Sequence, residues 1–243
     1  MLEFRVHDYA FCADISKAFL RVGLQSVDRD YVRFLWFKDP HNPKAGLDTF
    51  RFASVLFGST SSPFLLMATL DYHLSKSDSP FRDLIAKSFY VDNLQGTMSN
   101  ETELLQFYGE ANKQMDEANM PLRTWVTNSE KLKNQIEIDY NSYTVPNTTT
   151  VLGLTWDVNT DLIRLKPVTF SVPDAITKRK LLSLVSTVFD PLGVFSPVIV
   201  KGKILIQAAW RMDSSWDDPL PEEFLSSWME LSEELKALYP FPF

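Results

Sequence analysis

Ala13-Asp14-Ile15-Ser16-Lys17-Ala18-Phe19, near the start of the chain, and Phe89-Tyr90-Val91-Asp92-Asn93, about a third of the way along, decide how this sequence folds. The first closes an alternating apolar run, Tyr9-Ala10-Phe11-Cys12-Ala13-Asp14-Ile15, which predicts a buried strand ending on an aspartate. The second sets Asp92-Asn93 between two short strand-like pieces, residues 88–91 and 94–98. Asn and Asp tolerate the left-handed backbone of a tight hairpin turn, so Asp92-Asn93 is expected at the hairpin tip. If the first strand and the hairpin are neighbours, Asp14 and Asp92 can share divalent metal ions. An isolated aspartate at a strand end or turn is ordinarily just a solvated turn former. The ordered pair is what carries information.

Working outward, residues 31–37 and 48–56 are rich in β-branched and aromatic side chains and predict two more strands, joined by a loop with two prolines and a glycine. Phe57-Gly58-Ser59-Thr60-Ser61-Ser62-Pro63 follows, and its hydroxyls and proline predict a helix start, with the helix running over 63–75. Residues 80–86 continue as helix. Residues 101–118 form a strongly amphipathic helix through Leu104, Leu105, Tyr108 and Met115, ended by Asn119 and Pro121. Strands are expected at 122–126 and 151–156, the latter closing a hairpin to 162–165. From Pro173 the pattern is helical: 175–188, 196–211 and 222–238. The change from mixed α+β to all-helical sequence places a domain boundary near residue 170.

A chain of 243 residues with 45% hydrophobic and 13% aromatic content can bury a sizeable core. The lone cysteine, Cys12, excludes an internal disulfide, and His7, His41 and His73 have no spacing that suggests zinc. With no signal-like or membrane-length apolar run, an intracellular protein that does not enter membranes is expected, in the nucleus or a cytoplasmic particle. The formal net charge of −7 argues against a free-standing nucleic-acid binder, which normally carries a basic footprint. Basic residues do cluster locally, at Lys178-Arg179-Lys180 and Lys201-Gly202-Lys203.

The ordered set of motifs resembles the reverse transcriptases of LTR retrotransposons, most closely the BEL/Pao group. Phe11 to Leu20 is similar to the first palm motif, Leu56-Phe57-Gly58 with Ser62-Pro63 to the nucleotide-site motif, and Tyr90-Val91-Asp92-Asn93 to the metal-binding hairpin. Val151-Leu152-Gly153-Leu154 with Trp156 resembles the primer-grip hairpin. Phe189-Asp190-Pro191-Leu192-Gly193, through Ser196-Pro197 to Ala208-Ala209-Trp210, resembles a run found in BEL/Pao polyproteins.

The resemblance implies an α+β fold: a right-hand polymerase palm, a ferredoxin-like antiparallel sheet with helices on one face, over residues 1–170 with partial fingers. A helical thumb and the start of a connection would occupy 171–243. It implies an RNA-directed DNA polymerase that extends a primer 3′-hydroxyl on an RNA or DNA template from deoxynucleoside triphosphates. Two Mg2+ ions, or Mn2+, would be held about 3.5–4 Å apart. Asp14 and Asp92 would be the catalytic metal ligands, with the Ile15 carbonyl and Asn93 beside them. Phe19 would exclude a ribose 2′-hydroxyl, and Phe57 and Gly58 would floor the nucleotide pocket. Arg123 or Lys131 would reach the triphosphate, while Leu152, Gly153, Lys178, Arg179, Lys180, Lys201 and Lys203 would meet primer and template.

Two departures from the family pattern stand out. Asn93 replaces the second of two adjacent aspartates and lacks the negative charge a hard cation prefers, so weaker metal binding or slower chemistry is expected. The sequence also begins almost at the first catalytic strand, and the part of the fingers that normally precedes that strand, like the RNase H and integrase regions expected of such a polyprotein, is expected to have no counterpart in it. The competing expectation is therefore an inactive retroelement remnant that at most binds nucleic acid or a partner protein. A metal-dependent nuclease would need further carboxylates or a histidine near the pair.

Overall fold

The computed structural model describes residues 4, 6–166 and 175–238. The chain divides into two compact units, Met1–Val145 and Pro146–Phe243. The boundary lies well before residue 170, a position that itself falls outside the described residues. The mixed α+β class expected from the sequence is present.

In the first unit, strand β1 (Tyr9–Ile15) is followed by the short helix α1 (Ala18–Arg21), then β2 (Arg33–Phe37) and β3 (Leu47–Arg51). Helices α2 (Ser62–Leu74) and α3 (Arg82–Ser88) lead to β4 (Phe89–Tyr90) and β5 (Asn93–Met98). Helix α4 (Glu101–Glu117), strand β6 (Leu122–Thr127) and helix α5 (Glu130–Asp139) complete the unit. The main sheet has the order β4-β5-β1-β6, and every neighbouring pair is antiparallel.

β1 sits inside this sheet because its alternate residues Phe11, Ala13 and Ile15 are all buried. The Phe11 ring meets Phe107 of α4 at 4.7 Å between centroids and Trp125 of β6 at 6.3 Å, while Tyr108 packs edge-on against Trp125 at 4.9 Å. α4 starts where Asn100 accepts hydrogen bonds from the Thr102 and Glu103 amides, satisfying donors the helix leaves orphaned. It buries Leu104, Phe107, Tyr108, Ala111 and Met115 on one stripe. α2 buries Leu66, Leu70 and Leu74 in the same way. Its start differs from expectation: Ser62 turns its hydroxyl back to the Leu56 carbonyl at 2.6 Å, tying the Phe57-Gly58 loop to the helix.

Several elements depart from the sequence reading. The third strand ends at Arg51 and does not reach residue 56. The hairpin turn falls one residue earlier than predicted, because Tyr90 pairs with Asn93 and leaves Val91-Asp92 as the loop. Helix α5, which the sequence reading left out, is capped by the Ser129 hydroxyl accepting from the Leu132 amide.

The second unit opens with the meander β7 (Thr148–Val151), β8 (Leu154–Asp157) and β9 (Leu162–Leu165). The predicted strand over 151–156 is thus broken by a two-residue turn at Leu152-Gly153, whose φ angles of 48° and 85° suit the right-handed twist of a hairpin. Helices α6 (Lys178–Ser186), α7 (Ser196–Trp210) and α8 (Glu222–Leu238) bury Leu181, Val185, Ala209, Trp228 and Leu231 in a common core. Among the described residues no helix is long and apolar enough to cross a membrane.

Candidate metal and nucleotide site

Sheet pairing brings the two acidic motifs together. Asp14 lies opposite Asn93 in the β1–β5 register, and the Ile15 amide donates to the Asp92 carbonyl at 2.9 Å. Both aspartates are half-buried. Burial, and then the negative charge of Asp92, push the Asp14 carboxyl above its ordinary range. Among the described residues no lysine or arginine forms an ion pair with either carboxylate. Two partly desolvated anions held against one another without a compensating cation suit a hard divalent ion, which takes oxygen ligands and keeps several waters. Asp14 and Asp92 therefore fit Mg2+, with the Ile15 main chain alongside. Among the described residues no third His, Cys, Asp or Glu joins them.

Asn93 is exposed at the start of β5. Its amide donates to Asp92 Oδ1 at 3.1 Å, which orients the aspartate it follows. Val91, at the first position of the loop, holds a φ of 59°, a costly conformation for a β-branched residue. Thr124 of β6 donates its hydroxyl to Asp14 Oδ1. The sequence reading missed Thr124, because nothing in Leu122-Arg123-Thr124-Trp125 signals an irregular strand.

The three residues expected to line the nucleotide pocket divide into a pair and a turn. Phe19 is buried and meets the exposed Phe57 edge-on, with ring centroids 4.7 Å apart. Gly58 has a φ of +84° and open space where a side chain would project. Backbone bonds from Leu24 to Ala53 (2.8 Å) and from Val55 to Val22 (2.8 Å) hold the chain after α1 beside the approach to this loop.

Of the two basic candidates for the triphosphate, Arg123 lies opposite Asp14 across β1–β6, its guanidinium over the Tyr140 ring at 5.3 Å and donating to the Leu122 carbonyl at 2.7 Å. Lys131 is instead paired with Glu101 at 2.8 Å, joining the starts of α5 and α4.

The second unit treats its basic residues differently. Lys178 is buried, and its ammonium donates to the Met212 and Ser214 carbonyls at 2.9 and 2.7 Å, just beyond the end of α7. Two of its three N–H donors are thus spent inside the fold, away from the solvent-facing role expected of it. Arg179 forms a two-armed pair with Asp217 at 2.7 and 3.0 Å, with the Trp216 ring 5.6 Å away. Lys201 bonds both oxygens of Glu234 at 2.7 and 2.6 Å, Lys180 donates to the Ala175 carbonyl at 3.1 Å, and Lys203 is exposed. Leu152 and Gly153 form the β7–β8 turn, where the Phe189 ring lies so close that a Cβ on Gly153 would sit 2.3 Å from it.

No curated protein sequence matches the chain. Residues 177–241, which include α6, α7 and α8, match the family model described as the Pao retrotransposon-like RNaseH-like domain. That description replaces the thumb and connection expected for this segment. The helical segment over these residues is thus similar to the Pao retrotransposon-like RNaseH-like domain.

Proposed function

We propose that the first unit is the palm of a retroelement RNA-directed DNA polymerase, carrying out metal-dependent transfer of a nucleotide from a deoxynucleoside triphosphate to a primer 3′-hydroxyl. The reading is carried by one observation: Asp14 and Asp92 meet across β1 and the β4–β5 hairpin, half-buried, with the charge of Asp92 felt at Asp14, and among the described residues neither forms an ion pair with a lysine or arginine. The β4-β5-β1-β6 order, with helices between β1 and β4 and between β5 and β6, is consistent with the ferredoxin-like arrangement expected of such a palm. The Pao-type segment downstream supports a retrotransposon polyprotein as its source.

Magnesium bound at this site would neutralise charge on the phosphates and align the attacking hydroxyl. The chain's own contribution is positional. Asp14 and Asp92 hold the charge centre at the sheet rim, with Asn93 orienting Asp92 and Thr124 bonding Asp14. Phe19, backed by Phe57, supplies a rigid aromatic wall that would crowd a ribose bearing a 2′-hydroxyl. Gly58 leaves room for a nucleotide to approach the backbone.

The test is incorporation of deoxynucleotides on primed RNA and DNA templates with Mg2+ or Mn2+. Metal-dependent incorporation should be present in the wild type and fall at least about 100-fold in Asp92→Ala, as loss of a direct ligand exceeds loss of a supporting one. Asn93, standing where a second carboxylate would strengthen the site, favours the alternative of an inactive remnant. That alternative predicts no incorporation by either protein and equal binding of template–primer by both.

A further inference from the structure

β6 leaves regular pairing where it passes Asp14. Cys12 lies opposite Val126 and Asp14 opposite Arg123, so one β1 residue, Ala13, faces two on β6. The extra residue is absorbed as a bulge, a device that re-aims side chains beside functional sites. Thr124 takes the distortion with a φ of 52°, which costs a β-branched residue about 1–2 kcal/mol.

What the distortion achieves is contact: the Thr124 hydroxyl donates to Asp14 Oδ1. The flanking backbone is clamped from one side. Tyr140 donates its hydroxyl to the Leu122 carbonyl at 3.2 Å, and Tyr143 donates to the Trp125 carbonyl at 3.0 Å. Trp125 is fully buried, with its indole N–H on Asn112 at 3.2 Å. Between the clamps lies an open recess of about 360 Å³, lined by Arg123, Thr124, Tyr140, Asn141, Ser142 and Tyr143.

We propose that Thr124 is a positioning residue for Asp14. Its hydroxyl engages one carboxylate oxygen and thereby presents the other toward Asp92 and a divalent ion. The inference rests on the reading of Asp14 and Asp92 as metal ligands. Its logic is geometric: β5 and β6 flank β1 on opposite sides, so a donor from Thr124 on β6 holds Asp14 on the side away from Asp92, which lies in the turn just before β5. The Tyr140 and Tyr143 clamps keep the bulge from relaxing into a regular strand, which would turn Thr124 elsewhere.

The test is Mn2+ binding to the whole chain, followed calorimetrically, with circular dichroism confirming the fold of each variant. Thr124→Val removes the hydroxyl at nearly constant shape and should weaken Mn2+ about 10-fold, the lower end for loss of a partner that orients a ligand. Thr124→Ser restores the donor and should bind like the wild type. Tyr143→Phe loosens one clamp and should weaken binding about threefold, the worth of one ordinary hydrogen bond.

Wild-type affinity in Thr124→Val, while Asp14→Ala loses binding, would overturn the inference and leave the metal site standing. Unchanged affinity in Asp14→Ala would overturn the metal site, and the inference with it. Should Thr124→Val fail to fold, equal affinities for Thr124→Ser and Tyr143→Phe overturn the inference.

Discussion

Two hairpins in this molecule solve the same geometric problem in opposite ways. Both β4–β5 and β7–β8 turn through two residues. The β7–β8 turn has left-handed φ angles at both positions and places glycine at the second, where Gly153 also makes room for the Phe189 ring. The β4–β5 turn puts a valine at φ 59° and follows it with the half-buried Asp92. Both turns hold a non-glycine residue at positive φ, Leu152 at 48° and Val91 at 59°, but only the second is β-branched and only it adjoins a candidate metal ligand. Strain of this kind persists where surrounding structure over-determines it, and it gathers at active sites.

The sharpest way to break the comparison is at Gly153. Gly153→Val places a β-branched side chain in the left-handed region and drives it into Phe189. Adding the conformational cost to overpacking, the second unit should lose about 3 kcal/mol or more, read as a lower midpoint in urea unfolding. Tolerance of valine there would mean the two turns do not differ as described.

At the other hairpin the same kind of substitution should run the other way. Val91→Gly relieves the left-handed valine and should raise stability by about 0.5–1 kcal/mol, after allowance for the freer unfolded chain. The same change lets Asp92 wander, so Mn2+ affinity should fall as stability rises. A loss of stability would show that Val91 is not strained.

The smallest effect is expected at Asp14. Its carboxyl is raised by burial and by Asp92, so it contributes stability below the ordinary carboxylate range and loses it as pH rises through the raised value. Asp14→Asn should therefore be slightly more stable than the wild type at neutral pH without metal, with the difference vanishing as the medium is acidified. Parallel urea titrations across pH would show this. A variant less stable than the wild type at neutral pH would mean that Asp14 is held by favourable contacts and not under repulsion.

The elements legible in the sequence are those with a strong periodic signal. β1 announced itself by alternation around Phe11, Ala13 and Ile15, and α4 by an apolar stripe through Leu104, Tyr108 and Met115 ended by Asn119 and Pro121. Helix α5 escaped because only Leu132 and Ile136 are buried in an otherwise polar segment, too thin a stripe to separate from a loop. The hairpin turn was placed one residue late because Asp92-Asn93 has the better turn chemistry; pairing of Asn93 with Tyr90 and Asp14 outweighed that local preference.

The basic cluster shows a different limit. Lys178-Arg179-Lys180 looks like one cationic patch in sequence, yet Lys178 points into the fold and Arg179 is paired with Asp217. Which carboxylates and carbonyls come to meet a lysine is a tertiary fact. The meeting of Asp14 with Asp92 was within reach because strand neighbours follow from topology. Thr124 was not, since a bulge depends on how β6 is clamped from the Tyr140–Tyr143 loop.

The β2–β3 ribbon carries one more consequence. Every residue of both strands is exposed, with Leu35, Trp36, Phe37, Leu47 and Phe50 among them. Its order rests on Asp30 bridging Arg33 and Arg51 and on the Phe34, Phe50 and Phe52 rings. A lone pair of strands is marginal in water. Its amide hydrogens will therefore exchange with deuterium far ahead of those in β1, through local openings that leave the main sheet closed.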